Sequence, residues 1–196
     1  IWLPEFDEWS IDMAFDACFL YCITNEINGI AAGGRIEKIY QPERDEIILQ
    51  MRTREGGKRL LINAGSSNPR ICFTTAAKEN PMQAPMFCML LRKHLTGALL
   101  CSVEQLEFER TVKLTFLTRD EMGFECKRHL IAEVMGKYSN LIFADENMKI
   151  IAALKPVDFT TSSLRQVLPG MKYELPPAQN KKDPRNTSKE EFLSLA

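Results

Sequence analysis

The amino-acid sequence predicts an α+β fold, in which a few helices pack on β-sandwich-like sheets. Two segments carry apolar side chains at the 3.6-residue spacing that is typical of amphipathic helices. Many shorter segments are rich in β-branched and apolar residues and are separated by glycine, proline or asparagine turn signals. The chain has 196 residues, of which 45% are hydrophobic and 26% charged, so it is large and apolar enough to bury its own core.

The two predicted helices cover residues 13–30 and 85–95. Asp12 is expected to cap the first helix, which places Asp16 in its first turn, where the helix dipole stabilises a carboxylate. That stabilisation is by itself a sufficient structural reason for Asp16. Pro85 suits the first position of the second helix because its missing N–H would be unpaired there in any case.

Nine segments are predicted as strands because of their composition and the turn signals that bound them. A hairpin turn is expected at Gly56-Gly57 and a later turn at Asp145-Glu146-Asn147. The predicted strands are residues 35–41, 46–53, 58–64, 70–74, 99–106, 111–117, 124–134, 139–144 and 149–154.

The predicted domain, residues 13–177, lies between two segments of different character. Residues 1–12 contain both tryptophans and a cluster of acids, and we interpret them as an upstream extension or as vector-derived residues. A genuine N-terminal arm is the alternative. Residues 178–196 are predicted to be a linker and the start of a helical region, because Ser188 and Glu191 have capping-box spacing. We therefore expect the chain to be part of a longer protein.

Charge and hydropathy exclude two broad classes of protein. The 25 basic and 26 acidic residues give a net charge of −1, which excludes a uniformly basic nucleic-acid binder but leaves a local basic face open. The longest apolar run, residues 84–91, is much shorter than the roughly 20 residues of a membrane-spanning helix. The acidic first residues also do not resemble a secretory signal. We expect a cytoplasmic protein with no membrane partner.

The six cysteines are predicted to be reduced thiols in the core of a cytosolic protein. They lie in apolar segments and form no C-x-x-C pair. Cys18 and Cys22 are one helical turn apart and could suit a metal, but neither histidine lies near them in the sequence. Neither a metal site nor a cofactor is predicted.

Sequence signatures of several enzyme classes are missing. The chain has no G-x-S-x-G, Walker, G-x-G-x-x-G or H-E-x-x-H motif. A Cys–His pair that forms only in space stays open, because the sequence does not show such proximity. We expect a binding domain without catalytic residues.

Arg110 is the residue that departs from its local pattern. Phe108, Val112, Leu114 and Phe116 alternate with polar residues, so a period of two places Arg110 on their apolar face. An arginine in that position must lie at the rim of the sheet, pair with an acid or point into a pocket. A charge at the end of the strand, with its head in water, is the simplest interpretation.

Two basic groups, Arg92-Lys93-His94 and Lys127-Arg128-His129, are further candidates for contact with an anionic partner. Each group could belong to a phosphate-facing surface. Each is also explained as part of a solvated face, and the first group suits the C-terminal end of its helix dipole.

Four motifs, taken together and in order, resemble the N-terminal module of the NFACT family, also known in bacteria as the fibronectin-binding protein A family. The segment PMFCMLLRKHL is the most specific of the four, and the resemblance covers about residues 13–177. The motifs are residues 34–36 (GRI), 38–42 (KIYQP), 85–95 (PMFCMLLRKHL) and 133–140 (EVMGKYSN).

This resemblance implies a function in ribosome-associated quality control. Family members bind a large ribosomal subunit that still holds a stalled peptidyl-tRNA, and they recruit aminoacyl-tRNA to extend the nascent chain. In bacterial members the recruited tRNA is alanyl-tRNA and the added tail is polyalanine. The N-terminal module holds the incoming tRNA, and a helix-hairpin-helix region follows it, which residues 178–196 would begin.

The resemblance also implies which residues contact tRNA. Asp16, Glu109 and Arg110 match family positions, with Glu109 in place of the family's aspartate. An arginine that is oriented by acids can present its fork to a phosphate or a base edge, while carboxylates accept hydrogen bonds from base amino groups and ribose hydroxyls. Further residues that are expected to face RNA are Arg92, Lys93, Lys137, Ser139 and Asn140.

Two alternatives accompany this reading. The family's module resembles the N-terminal domain of formamidopyrimidine-DNA glycosylases, but those enzymes use an N-terminal proline as nucleophile and Ala14 follows Met13 here. A cell-surface adhesin that binds fibronectin is the second alternative. It would need export, and these residues carry neither a signal nor a disulfide pattern.

Overall fold

The structure, a computed structural model, describes residues 15–177, 183–188 and 191. Within these residues the chain forms helices α1 (Ala17–Ala31) and α2 (Met86–Leu95) and short 3-10 helices at Gly136–Tyr138 and Pro184–Asn186. The strands are β1 (Arg35–Glu43), β2 (Glu46–Thr53), β3 (Gly56–Asn63), β4 (Arg70–Phe73), β5 (Leu99–Gln105), β6 (Thr111–Arg119), β7 (Glu125–Glu133), β8 (Asn140–Asp145) and β9 (Ile150–Ala153).

The strands form a single antiparallel sheet in the order β4-β3-β2-β1-β5-β6-β7-β8-β9. Its two halves meet at the register pair Arg35↔Leu99, beside which Ile36 N donates to Ala98 O at 2.9 Å. Buried side chains from both halves nevertheless belong to one core cluster. The α+β class is therefore confirmed, and so are the positions of the nine predicted strands. The sheets that we expected as a sandwich are the two halves of one sheet.

Helix α1 begins later than the sequence suggests. Its N-cap is Asp16, whose Oδ1 accepts a hydrogen bond from Phe19 N at 2.8 Å. The expectation that Asp16 lies inside the first turn is therefore wrong, and Asp12 lies outside the described residues. Leu20 and Ile27 are fully buried from α1 against the sheet, and burial of such a side chain contributes about 2 kcal/mol.

Helix α2 follows its prediction closely. Pro85 precedes it with φ of −60°, and Gly97 follows it with φ of +81°, in the left-handed region that favours glycine. Its buried face is formed by Phe87, Cys88, Leu91 and Leu95, and it packs mainly on β1.

The segment after β9 is tied to the sheet by a buried ion pair. Both carboxylate oxygens of Glu133 accept bonds from the Arg165 guanidinium, at 2.6 and 3.2 Å, and Tyr173 Oη donates to Glu133 Oε1 at 2.8 Å. Burial and the neighbouring Glu133 raise the pKa of Tyr173, so its phenol stays protonated and keeps donating. This cluster holds the chain against the end of β7.

The predicted linker contains ordered structure where it is described. Asp183 caps the 3-10 helix Pro184–Asn186 by accepting from Arg185 N at 2.9 Å. Farther on, Glu191 N donates to Ser188 Oγ at 3.1 Å, which is the backbone bond that a capping box requires. Residues 1–14 and the rest of 178–196 lie outside the described residues, so the proposed upstream extension stays a prediction.

The cysteine prediction is only partly confirmed. The six thiols are free, as expected, and Cys88 is buried. Cys18, Cys22 and Cys101 are exposed, because α1 and β5 turn these positions away from the core, so the description of all six as core thiols is wrong. In the described part of the chain, no helix is both long enough and apolar enough to span a membrane.

Candidate nucleic-acid interface

The turn between β5 and β6 carries two of the predicted tRNA-contacting residues, Glu109 and Arg110. Glu107 and Phe108 have φ of +48° and +54°, and Glu109 N donates to Leu106 O at 2.9 Å, which closes the turn. The strand β6 begins only at Thr111. The alternation that placed Arg110 on an apolar strand face is therefore wrong, because the positive φ values break the period of two.

Gln105 joins this turn to the start of α1. Its Nε2 donates to Ala17 O and to Glu109 O, both at 2.9 Å. Asp16, the residue before Ala17, is exposed at the same end of the sheet. The structure therefore brings Asp16 near the turn that carries Glu109 and Arg110, although Asp16 is distant from both in sequence. We call these three residues the turn site.

The Arg110 guanidinium is available to a partner. The residue is half-buried, and its backbone oxygen accepts from Val134 N at 2.9 Å, which fixes the main chain. Its side chain has no hydrogen-bond or ion-pair partner among residues 15–177, 183–188 and 191. Pairing with an acid, one of the three alternatives for Arg110, is thus not found among these residues. An anchored backbone with an unpaired, planar fork suits bidentate recognition of a phosphate or a base edge.

Lys137 lies at the same end of the sheet as Arg110. The bond from Val134 to Arg110 joins the β7–β8 connection to the turn, and Lys137 lies in the 3-10 helix of that connection. Its side chain is exposed, with Nζ 4.9 Å from the ring centroid of Tyr138, which is itself 70% exposed. Lys137 can therefore add a positive charge beside the turn site.

Ser139 and Asn140 do not face a partner, which corrects the expectation from the resemblance. They are 1% and 3% exposed. Ser139 Oγ accepts from Met135 N at 2.8 Å. Asn140 Nδ2 donates to Lys155 O at 2.7 Å, and its Oδ1 accepts from Lys155 N at 2.9 Å. Their polar groups hold the β7–β8 connection and the chain after β9 in place.

Arg92 and Lys93 lie away from the turn site. Arg92 Nε donates to Ile39 O at 2.8 Å, which fastens α2 to β1. Lys93 Nζ lies 2.7 Å from Glu121 Oε1, in the turn that follows β6. Because β6 has nine residues, about 27 Å of strand separates that turn from Arg110. Lys93 therefore lies at the opposite end of the sheet, and Arg92 is engaged in holding α2 on β1.

The two histidines do not enlarge the basic groups at neutral pH. Burial, and then nearby Arg128 and Lys93, lower the pKa of His94. Burial, and then Lys113 and Lys127, lower the pKa of His129, whose Nδ1 lies 3.2 Å from Thr115 Oγ1. Both imidazoles are therefore mainly neutral at pH 7.

Three residues that lie together in this region were not predicted to be part of the site. The Phe108 ring lies 6.1 Å from the Tyr21 ring, centroid to centroid, and Arg185 Cζ lies 4.3 Å from the Phe108 centroid. Phe108 was counted in the alternating pattern of β6, because Glu-Phe is not a recognisable turn sequence. Tyr21 and Arg185 carry no local signal, since their proximity arises only from the fold.

The described residues contain no cluster of three or more histidine, cysteine, aspartate or glutamate side chains that could hold a metal ion. The turn site has two carboxylates that can accept hydrogen bonds and a guanidinium without a partner among the described residues, at one end of the sheet. This combination can recognise an anion together with hydrogen-bond donors.

The family model described as NFACT N-terminal and middle domains matches residues 16–196. The chain belongs to the NFACT family. It is 42% identical over 183 residues to the protein named Rqc2 homolog RqcH from Bacillus subtilis (strain 168), which covers 92% of this chain and 32% of that relative. The chain thus spans about a third of the length of this curated relative.

Solved structures of two similar proteins have the same fold. The N-terminal domain of fibronectin-binding protein PavA from Streptococcus pneumoniae matches with a TM-score of 0.86 and 38% identity, over 93% of this chain and 68% of that one. The N-terminal part of the fibronectin/fibrinogen-binding protein FBPS from Streptococcus suis matches with a TM-score of 0.87 and 37% identity, over 93% and 68%. This chain therefore shares its fold with both of these structures.

Proposed function

We propose that this chain is the tRNA- and large-subunit-binding module of a ribosome quality control factor. Membership of the NFACT family and the similarity to RqcH support the general role. In this proposal the whole protein binds a large ribosomal subunit that holds a stalled peptidyl-tRNA. It recruits alanyl-tRNA, so that the nascent chain gains a polyalanine tail.

The observation that supports tRNA binding most directly is the turn site. Gln105 holds the start of α1 and the β5–β6 turn together, so that the backbone at Asp16 lies near the turn that carries Glu109 and Arg110. The Arg110 guanidinium has no hydrogen-bond or ion-pair partner among the described residues. The fork suits a phosphate or a guanine edge, and the carboxylates suit amino groups and ribose hydroxyls. Lys137 adds a charge for the phosphate backbone.

The module acts by binding in this proposal, not by catalysis. In this proposal the ribosome catalyses peptide transfer. The protein acts in the cytoplasm, where the large ribosomal subunit and tRNA are found. A net charge of −1 means that charge attraction alone gives little affinity for RNA. Simultaneous contact with the subunit and the tRNA raises the effective affinity of each contact.

Two binding assays test the proposal on the full-length protein. Co-sedimentation with purified large subunits, with and without bound peptidyl-tRNA, measures subunit binding. Fluorescence anisotropy with labelled bacterial tRNA at two salt concentrations measures tRNA binding. We expect co-sedimentation that depends on peptidyl-tRNA, and a tRNA affinity that falls with salt. Absence of both interactions would contradict the proposed function.

Fibronectin binding is the second candidate, because the two similar structures carry fibronectin-binding names. Binding of soluble fibronectin to the immobilised protein tests it, together with antibody labelling of intact cells. Fibronectin binding with surface labelling, and no interaction with tRNA or subunits, would favour the adhesin. The likeness to formamidopyrimidine-DNA glycosylases stays a prediction.

A further inference from the structure

The β5–β6 turn holds an aromatic residue in a backbone conformation that such residues rarely adopt. Glu107 and Phe108 both have positive φ, and Glu109 N bonds Leu106 O. This is the pattern of a type I′ turn, whose central positions favour Asn-Gly. Glycine would suit position 108 better than phenylalanine, so the phenyl ring itself requires an explanation. Strained residues of this kind cluster at binding sites.

The ring of Phe108 is part of a small aromatic surface. Tyr21, on α1, is 39% exposed, and its ring is tilted by 55° to that of Phe108. We call these two rings the aromatic pair. Phe108 immediately precedes Glu109 and Arg110 in the same turn. Sites for unpaired RNA bases combine an aromatic face with hydrogen-bonding and cationic groups in this way.

A flat cation already covers the aromatic pair. Arg185 Cζ lies 4.3 Å from the Phe108 centroid and 5.1 Å from the Tyr21 centroid. A guanidinium stacks on a ring much as a base does, so the Phe108 face can accept a planar group. Asp183, in the same segment, binds Arg185 Nη2 at 2.6 Å. Arg185 can therefore move away from the rings and keep its ion pair with Asp183.

We propose that the aromatic pair is a stacking site for an unpaired base of RNA, and that Arg185 covers it until RNA binds. This inference rests on the proposed function and adds a contact that charge alone does not provide. Stacking accepts any base, whereas Glu109 and Arg110 read edges and phosphates. The turn would then hold a nucleotide by its flat face as well as by its polar groups.

The backbone conformation of the turn allows a substitution that removes the ring without adding backbone strain. Phe108→Gly removes the ring and places the residue that the backbone prefers, so its urea midpoint should equal or exceed that of the wild type. Phe108→Tyr keeps a stacking ring, and Arg185→Ala uncovers the rings. Each full-length variant is measured by anisotropy with labelled bacterial tRNA. Competition with a short single-stranded RNA and with its duplex then tests the preference for unpaired bases.

The proposal predicts a specific order of affinities. Phe108→Gly should weaken tRNA binding about tenfold, as expected for the loss of one base–aromatic stack, and should lose the preference for the single strand. Phe108→Tyr should bind like the wild type, and Arg185→Ala should bind as tightly or more tightly.

Three results would overturn parts of the account separately. Wild-type binding with an unchanged Phe108→Gly variant would exclude the stacking site and leave the proposed function intact. A loss in Arg185→Ala as large as that in Phe108→Gly would show that Arg185 itself holds RNA and does not cover the site. No tRNA binding by the wild type would contradict the tRNA-binding part of the proposed function and, with it, this inference.

Discussion

Gln105 Nε2 donates a hydrogen bond to the carbonyl oxygen of Glu109 at 2.9 Å. The same nitrogen bonds Ala17 O at 2.9 Å, so one side chain connects the start of α1 with the β5–β6 turn. The turn site depends on this connection, because Asp16 and Arg110 are otherwise held by separate elements. Gln105 is therefore a positioning residue in our account.

Replacing Gln105 tests this positioning. Gln105→Met keeps the length of the side chain and removes the donor, so we expect the free energy of unfolding to fall by about 1–2 kcal/mol. The tRNA affinity should fall as well, because Asp16 and Glu109 lose their common anchor. Urea unfolding and anisotropy measure the two effects. Gln50→Met is the control, since the Gln50 side chain has no hydrogen bond within the described residues. Equal behaviour of the two variants would contradict the positioning role.

Asp16 has a structural and a proposed RNA-binding role, and two substitutions separate them. Asp16→Asn keeps an N-cap acceptor and removes the charge, whereas Asp16→Ala removes the bond to Phe19 N. We expect Asp16→Ala to lose about 1 kcal/mol of stability and Asp16→Asn only a few tenths. Both should weaken tRNA binding. Normal binding by Asp16→Asn would make Asp16 a helix cap and nothing more.

The Glu133–Arg165 pair is expected to matter for stability far more than an exposed pair. Side-chain exposure is 2% for Glu133 and 13% for Arg165, so Arg165→Met leaves a buried carboxylate with the Tyr173 hydrogen bond but without its cationic partner. The expected loss is about 3–5 kcal/mol in urea unfolding. Lys93→Met, which breaks the exposed pair with Glu121, should cost less than about 1 kcal/mol. Similar losses in the two variants would show that burial does not control these energies.

Stability should fall when the solution is acidified from neutral pH, because both histidines are held neutral. Burial lowers the pKa of His94 and His129 in the folded state. Histidines of the unfolded chain have a pKa of about 6.5, so they bind protons more readily than the same histidines in the folded state. The stability that is present above this pH is therefore lost progressively as the pH falls below it. The loss between pH 7 and 5.5 should reach up to about 1 kcal/mol for each histidine.

A double variant checks the origin of this pH dependence. His94→Gln with His129→Asn should flatten the decline in urea unfolding free energy across this range. Asp158 does not interfere, because hydrogen bonds from Thr160 and Thr161 lower its pKa to about 2. A decline as steep in the double variant as in the wild type would assign it to other groups.

Local signals predicted the regular elements well. Helix α2 has its proline start, its periodic apolar face and its terminal glycine in the sequence itself, and the structure follows them. The capping bond between Ser188 and Glu191 was likewise predictable from spacing alone. Strand positions followed from turn signals and composition for the same reason.

Features that depend on distant contacts were not predictable. The alternating pattern placed Arg110 on an apolar face because the turn before it uses Glu107 and Phe108, where a sequence signal would be glycine. Ser139 and Asn140 matched a family motif, but their burial depends on Met135 and Lys155, which the spacing does not reveal. The cover that Arg185 forms on Phe108 likewise arises only in the folded chain.

The most direct test of the account compares two arginines at opposite ends of β6. Arg110 precedes the strand and Arg119 ends it, and neither side chain has a hydrogen-bond or ion-pair partner among the described residues. Replacing each with alanine removes the same charge from the full-length protein, and tRNA anisotropy at two salt concentrations measures the effect. We predict that Arg110→Ala weakens binding about tenfold or more, whereas Arg119→Ala binds like the wild type. Equal affinities in the two variants, with both proteins folded, would contradict the assignment of tRNA binding to the turn site.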